Sequence, residues 1–324
     1  MTNDELVAAI QDQLELSDIA LLKIVAAVST FDSIIKQGVA DSTAIRNEVE
    51  RLALLIADEP PPAPVPTTGK LPYRPPFDPL NPPAGVKIID VPASGGSYAG
   101  TGNDALFRFP LIVTGKVTIK GFGKVVVWAP KMTLGSSGQQ RCLVLEDNGT
   151  VHVEGGWFDP TGGKSWQADA IIANSRLANS TVTVQNCYVH DVNGQSGDQT
   201  GDPEHGDALQ CWAGPSILRV AYFTVNTRYQ GLLLQPGSAV PFGPWTFDHI
   251  DIQRPTAAGW QLYHLNSTLA KTVKDCYAYA PLETNPADIL HANFTGLVTI
   301  GKPAARFVDG TKVGLGYVSP GYIA

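Results

Sequence analysis

Two segments far apart in the chain read as copies of one another: Asn186-Cys187-Tyr188-Val189-His190 and Asp275-Cys276-Tyr277-Ala278-Tyr279. Each carries the apolar–polar alternation of a half-buried strand. Related local patterns centre on Val126, Trp157, Tyr188, Tyr222, His249 and Tyr277, at intervals of 27 to 34 residues. A strand set recurring at a variable period is what stacked repeats produce, because each rung buries its apolar edge only against the next. Unequal intervals then call for loops inserted at a fixed corner. A sandwich or jelly roll would also space its strands closely, but it gives no reason for similar rungs to recur.

The repeats occupy residues 86–302, and the chain around them divides by composition. Residues 59–85 hold eleven prolines, Pro60 to Pro83. That density forbids helix and sheet ladders and favours extended polyproline II, so this stretch is expected to act as a semi-rigid spacer. Residues 1–58 read as a helical attachment or oligomerisation domain. Val7, Ile10, Leu14, Leu21, Ile24, Val28, Phe31 and Ile35 keep a heptad-like register that continues through Ile45, Val49, Leu52 and Ile56. That pattern fits one long coiled coil, or a two-helix hairpin broken near Gly38. Either arrangement needs an apolar partner. Residues 303–324, rich in Gly and Tyr, are expected to cap the last rung, since an exposed repeat end invites pairing.

Charge and cysteine usage narrow the function classes. The formal charge of −7 offers no Lys/Arg cluster to release phosphate counterions, which argues against nucleic acid. No apolar run is long enough to insert in a membrane, and the N-terminus Met1-Thr2-Asn3-Asp4-Glu5 lacks the cationic and apolar parts of a secretory signal. Cys142, Cys187, Cys211 and Cys276 have no CxxC spacing and are expected as buried small apolar fillers, with neither a zinc site nor a disulfide framework.

The rung Val182 to Asp191, followed by His205-Gly206-Asp207-Ala208-Leu209-Gln210, resembles the right-handed parallel β-helix of pectin-lyase-like proteins. The fold implied is mainly β, a solenoid preceded by an α-helical stalk and a Pro-rich neck. The same fold serves lyases, hydrolases, epimerases and adhesins, so the resemblance speaks to fold more than to reaction. The order of stalk, neck and solenoid is similar to bacteriophage tailspikes and to head spikes of gene transfer agents. By that resemblance the protein would sit on the surface of a virion or phage-like particle, made in the host cytoplasm and released by lysis. It would be a homotrimer, held through residues 1–58 to a capsid, tail or spike-base protein, and its partner would be a bacterial surface (capsular) polysaccharide.

The loop between the two halves of that motif concentrates chemistry. Asp191, Asp202, Glu204 and Asp207 could supply the two carboxylates of a glycoside hydrolase. His205 could serve a lyase as base near its ordinary pKa, with Arg219 or Arg228 pairing the uronic carboxylate. No cofactor is required, although Gly- and Asp-rich oxygens of this kind also suit Ca²⁺ outside any EF-hand spacing. The plain alternative is turn architecture, because Asp and Gly are what tight loops contain. Trp166, Trp212, Tyr229, Trp245, Trp260 and Tyr263 are candidates for stacking on sugar rings, with Trp212 foremost. The reading that follows is a spike that binds polysaccharide. Its rivals are a depolymerase on the same scaffold and a structural virion connector.

Overall fold

The computed structural model describes residues 70–134, 141–160, 168–192, 206–236, 243–255, 261–265 and 269–323. The expected helical segment 1–58 and the first part of the Pro-rich stretch lie outside the described residues. The described chain is mainly β and is built from two parallel sheets. One sheet runs, in spatial order, through β1 (Lys87–Asp90), β3 (Ala105–Arg108), β5 (Lys124–Trp128), β8 (Thr150–Glu154), β11 (Thr181–Val192), β13 (Ile217–Thr227), β15 (Trp245–Gln253), β17 (Lys271–Tyr279) and β18 (Thr299–Ile300). Two short strands, β6 (Lys131–Thr133) and β9 (Trp157–Asp159), prolong it beside β11.

The other sheet stacks β2 (Gly96–Ala99), β4 (Val117–Lys120), β7 (Arg141–Glu146), β10 (Asp169–Asn174), β12 (Asp207–Cys211), β14 (Gln230–Leu234) and β16 (Tyr263–Leu265). The chain alternates between the sheets, and each return lands beside the strand of the previous pass. Apolar side chains from both sheets form one continuous cluster, among them Leu143, Ile171, Leu209 and Leu232 from one and Val153, Val184, Val220 and Phe247 from the other.

Successive passes share a bend at one level. Ala129, Gly155, Asn186, Tyr222, His249 and Asp275 all have φ between 48° and 69°, in the left-handed region. The strand registers place them side by side. Each bend resets the pleat, so the residue two before it and the residue one after it both point inward. Val184 and Cys187, Val220 and Phe223, and Phe247 and Ile250 are such pairs, all buried in the same cluster. The repeat expected from sequence is therefore present, but its register differs from the one read there. Tyr222 and His249 are bend residues, Trp157, Tyr188 and Tyr277 lie two positions after a bend, and Val126 lies three before one. Strict period-two reading cannot see a residue that breaks the period. All four cysteines are buried and free, and Cys187 and Cys276 fill the same position after the bend in two passes.

The flanking segments differ from expectation. The part of the proline-rich stretch from Lys70 onward is packed on the outer face of the long sheet rather than free as a spacer. Phe77 is buried there with Leu106 and Val126, and the Tyr73 backbone exchanges two hydrogen bonds with the Gln185 side chain. Residues 303–323 run back along the same face instead of covering the last strand. Val308 N–H donates to Thr224 Oγ1, Gly314 N–H to the Gly155 carbonyl, and Ile323 N–H to the Leu71 carbonyl. The end of the ladder is closed instead by residues 286–300, whose buried Phe294 packs on Phe247 and Tyr263.

Gly155 is the bend residue that this covering segment touches most closely: a Cβ there would lie 2.2 Å from the Tyr317 ring. A left-handed alanine costs about 1–2 kcal/mol by itself. Gly155→Ala is therefore expected to destabilise by about 2 kcal/mol or more in chemical denaturation, and by less when Tyr317 is also alanine. Equal cost in both backgrounds would mean that Tyr317 does not seat on this glycine.

Candidate functional site

The registers locate one corner, between the end of a long-sheet strand and the start of the next strand in the other sheet. Val192 pairs with Thr227 and Asp207 pairs with Gln230. The pass through β13 and β14 thus turns the corner with Arg228 and Tyr229 alone, whereas the preceding pass inserts residues 193–206 at the same place. Residues 134–140, 160–168 and 254–262 join the same two sheets at this corner. Most of the opposite connections are shorter, as between β10 and β11 or β12 and β13, and residues 235–244 between β14 and β15 are the long one there. The acidic loop singled out from sequence is an insertion at this corner. His205, Glu204 and Asp202, with Trp166 and Trp260, lie outside the described residues.

The described feet of that loop carry charge. Asp191, near the end of β11, pairs with Arg228 at 3.0 Å, and Arg228 remains largely exposed. Burial pushes the Asp191 carboxyl up, and the Arg228 guanidinium and His190 oppose it. His190 stacks on Trp157 with ring centroids 5.9 Å apart, and Lys131 lies over the other part of that array, 5.0 Å from the Trp157 ring.

Asp207 opens β12, opposite Asp169 at the start of β10. Its N–H donates to Asp169 Oδ1 at 3.0 Å. Gln210 Nε2 donates to Asp207 Oδ2 at 2.8 Å, and Arg141 approaches Asp169 Oδ2 at 3.7 Å. Desolvation raises the Asp169 carboxyl to about 7, against the bond from Asp207 N–H and the charge of Arg141. Burial, with the neighbouring Asp169 charge, drives Asp207 well above the carboxylate range. Asp169 was not picked out from sequence. The signal was present as a repeat: Asp169-Ala170-Ile171 and Asp207-Ala208-Leu209 open two adjacent strands alike.

Exposure separates the remaining expected residues. Asp207 is fully enclosed, so in this conformation it meets no polymer. Trp212, just beyond β12, is 47% exposed, and its N–H is anchored to Asn174 Oδ1 at 2.7 Å. Tyr229, expected to stack on sugar, is buried at 2% exposure, as are Trp245 and Tyr263, which belong to the apolar cluster. Arg219 is on the long sheet with its guanidinium 5.1 Å over the Tyr73 ring, so the covering segment, not a uronate, holds it. The carboxylates of Asp248 and Asp275 flank His249, but Lys274 Nζ lies 3.8 Å from both and His249 stacks on Tyr222 at 4.6 Å. This is a charge-balanced patch of the sheet surface.

A second buried polar cluster lies under the covering segments. Glu154, with no exposure, accepts from His152 Nε2 at 2.9 Å, Gln185 Nε2 at 2.9 Å, Tyr317 Oη at 2.9 Å and Tyr322 Oη at 3.0 Å. Burial raises its carboxyl, but the bonds and charge from His152, with Gln185 and Ser319, bring it below the usual glutamate range. A depressed folded pKa contributes stability above the unfolded value and loses it as pH falls through the folded one. Acidification below about pH 4 is thus expected to lower the amide protection factors of residues 303–323, the observed rates being divided by the intrinsic rate at each pH. Glu154→Gln should cost about 1–2 kcal/mol at neutral pH and flatten that acid response. An unchanged acid profile in the variant would place the titration elsewhere.

A scan against protein-family models, a search of curated proteins and a search of solved structures each return no match for this chain.

Proposed function

We propose that the two sheets are the faces of a right-handed parallel β-helix on the surface of a virion or phage-like particle, and that its loop-bearing corner binds bacterial surface (capsular) polysaccharide. The observation that carries the reading is the bias of long connections towards one corner. Residues 134–140, 160–168, 193–206 and 254–262 all join the sheets there, on four passes, against 235–244 at the opposite corner. Connections that return to one corner of a parallel ladder line up along it, so a polymer lying there meets several passes at once. Charged and aromatic groups meet there: Asp191, Arg228, His190 and Trp157, whereas the exposed Trp212 lies beyond the far end of β12, at the opposite corner. In this reading residues 1–58 trimerise the chain and hold it to a capsid, tail or spike-base protein.

The buried carboxyl pair Asp169 and Asp207 favours a second reading, a depolymerase that uses them as acid and base. Enclosure of Asp207 weighs against it, because a general acid must reach the glycosidic oxygen. Recognition without cutting is the better supported function.

The test is binding of the full chain to purified capsular polysaccharide, with new reducing ends and unsaturated-product absorbance followed in the same tubes. Binding without either product is expected. Arg228→Ala should weaken it about tenfold, the loss of roughly 1.4 kcal/mol of charge-assisted contact, whereas Arg219→Ala should leave it unchanged. Release of products would select the depolymerase, and absence of binding to any capsulated host's polysaccharide would overturn the assignment.

A further inference from the structure

Three buried acceptor oxygens belong to neighbouring residues of the adjacent strands β12 and β14. Asp207 Oδ1, Gln210 Oε1 and Gln230 Oε1 accept no hydrogen bond, and their residues are 0%, 3% and 2% exposed. Asp207 and Gln230 are partners in register, which brings adjacent strands within about 5 Å, and the Gln210 amide already touches the Asp207 carboxylate. A buried acceptor left without a donor is costly, and three side by side are more so. What such a group of oxygens lacks is a positive charge or a donor.

Neighbouring cations do not supply it. Arg141 is turned to Asp169 at 3.7 Å, Arg228 to Asp191 at 3.0 Å, and Arg254 to Glu283 at 2.6 Å. Asp207 makes no ion pair among the described residues. Among the described residues the candidate ligand atoms are all oxygens, which favours a hard metal ion over zinc or copper. We propose that Asp207, Gln210 and Gln230, backed by Asp169, hold one hard metal cation. Because Arg141 offsets the charge of Asp169, the single unmatched carboxylate of Asp207 fits Na⁺ or K⁺ by charge, and Ca²⁺ is the divalent competitor. The site pins β12 and β14 where both strands leave the loop-bearing corner, and it stands independently of what the corner recognises.

The test is thermal unfolding of the full chain at neutral pH in NaCl, KCl or CaCl₂, each against tetramethylammonium chloride at matched ionic strength. One metal ion should raise Tm by about 3 °C for each tenfold increase above its dissociation constant. The rise should vanish in Asp207→Asn. It should also be lost or sharply weakened in Gln230→Leu, which keeps the carboxylates and guards against misfolding of the first variant. The same Tm in all four salts would overturn the proposal and leave the proton as the occupant of Asp207. A metal-dependent rise that survives in Gln230→Leu would also overturn it, by placing the ion elsewhere.

Discussion

The structure depends on the parallel backbone ladder and on the one residue per pass that bends it. A parallel ladder joins strands only through returns of the chain, so every pass must repeat the geometry of the last or the register is lost. The left-handed column from Ala129 to Asp275 fixes that geometry. A non-glycine residue there costs about 1–2 kcal/mol, and five of the six positions carry one. Their neighbours offset this cost. Asn186 Nδ2 donates to Tyr317 Oη, and Tyr222 and His249, adjacent in the column, stack on each other. The bend turns a second set of side chains inward, which lets each long strand present apolar groups to the core both before and after it.

This explains how far the fold could be read from residues. The likeness of Asn186-Cys187-Tyr188 to Asp275-Cys276-Tyr277 reflects equal positions about the bend. A repeat with loops at a corner was therefore legible. The exact register was not, because the inward pairs are three apart at the bend and two apart elsewhere, and a period-two reading slips by one at each crossing. Inward pairs such as Val184 and Cys187, recurring as Val220 and Phe223, were the unused signal. The outer packing was illegible for a different reason. Proline-rich and Gly-rich segments look like spacers locally, and only the tertiary partners of Phe77, Tyr73 and Tyr317 reveal that they cover the sheet.

The candidate site divides along the same line. Asp191, Asp207, Arg228 and Trp212 were found because the loop they flank is conspicuous in composition. Asp169 lies on an ordinary strand 38 residues earlier, and its importance comes from register. Tyr229 and Arg219 show the converse: residue type favoured sugar contact, but the corner turn buries one and the covering segment occupies the other. The long sheet's outer face is thus taken up by the chain's own flanks, with Glu154 as their polar anchor, while the loop-bearing corner carries most of the long connections.

That division is the centre of the functional account, and amide hydrogen exchange with and without bound capsular polysaccharide tests it most directly. The account predicts protection at Asp191–Val192, Gly206–Asp207 and Arg228–Tyr229, with exchange unchanged in residues 303–323 and around Tyr73. Protection confined to those covering segments, with the corner unaffected, would contradict it.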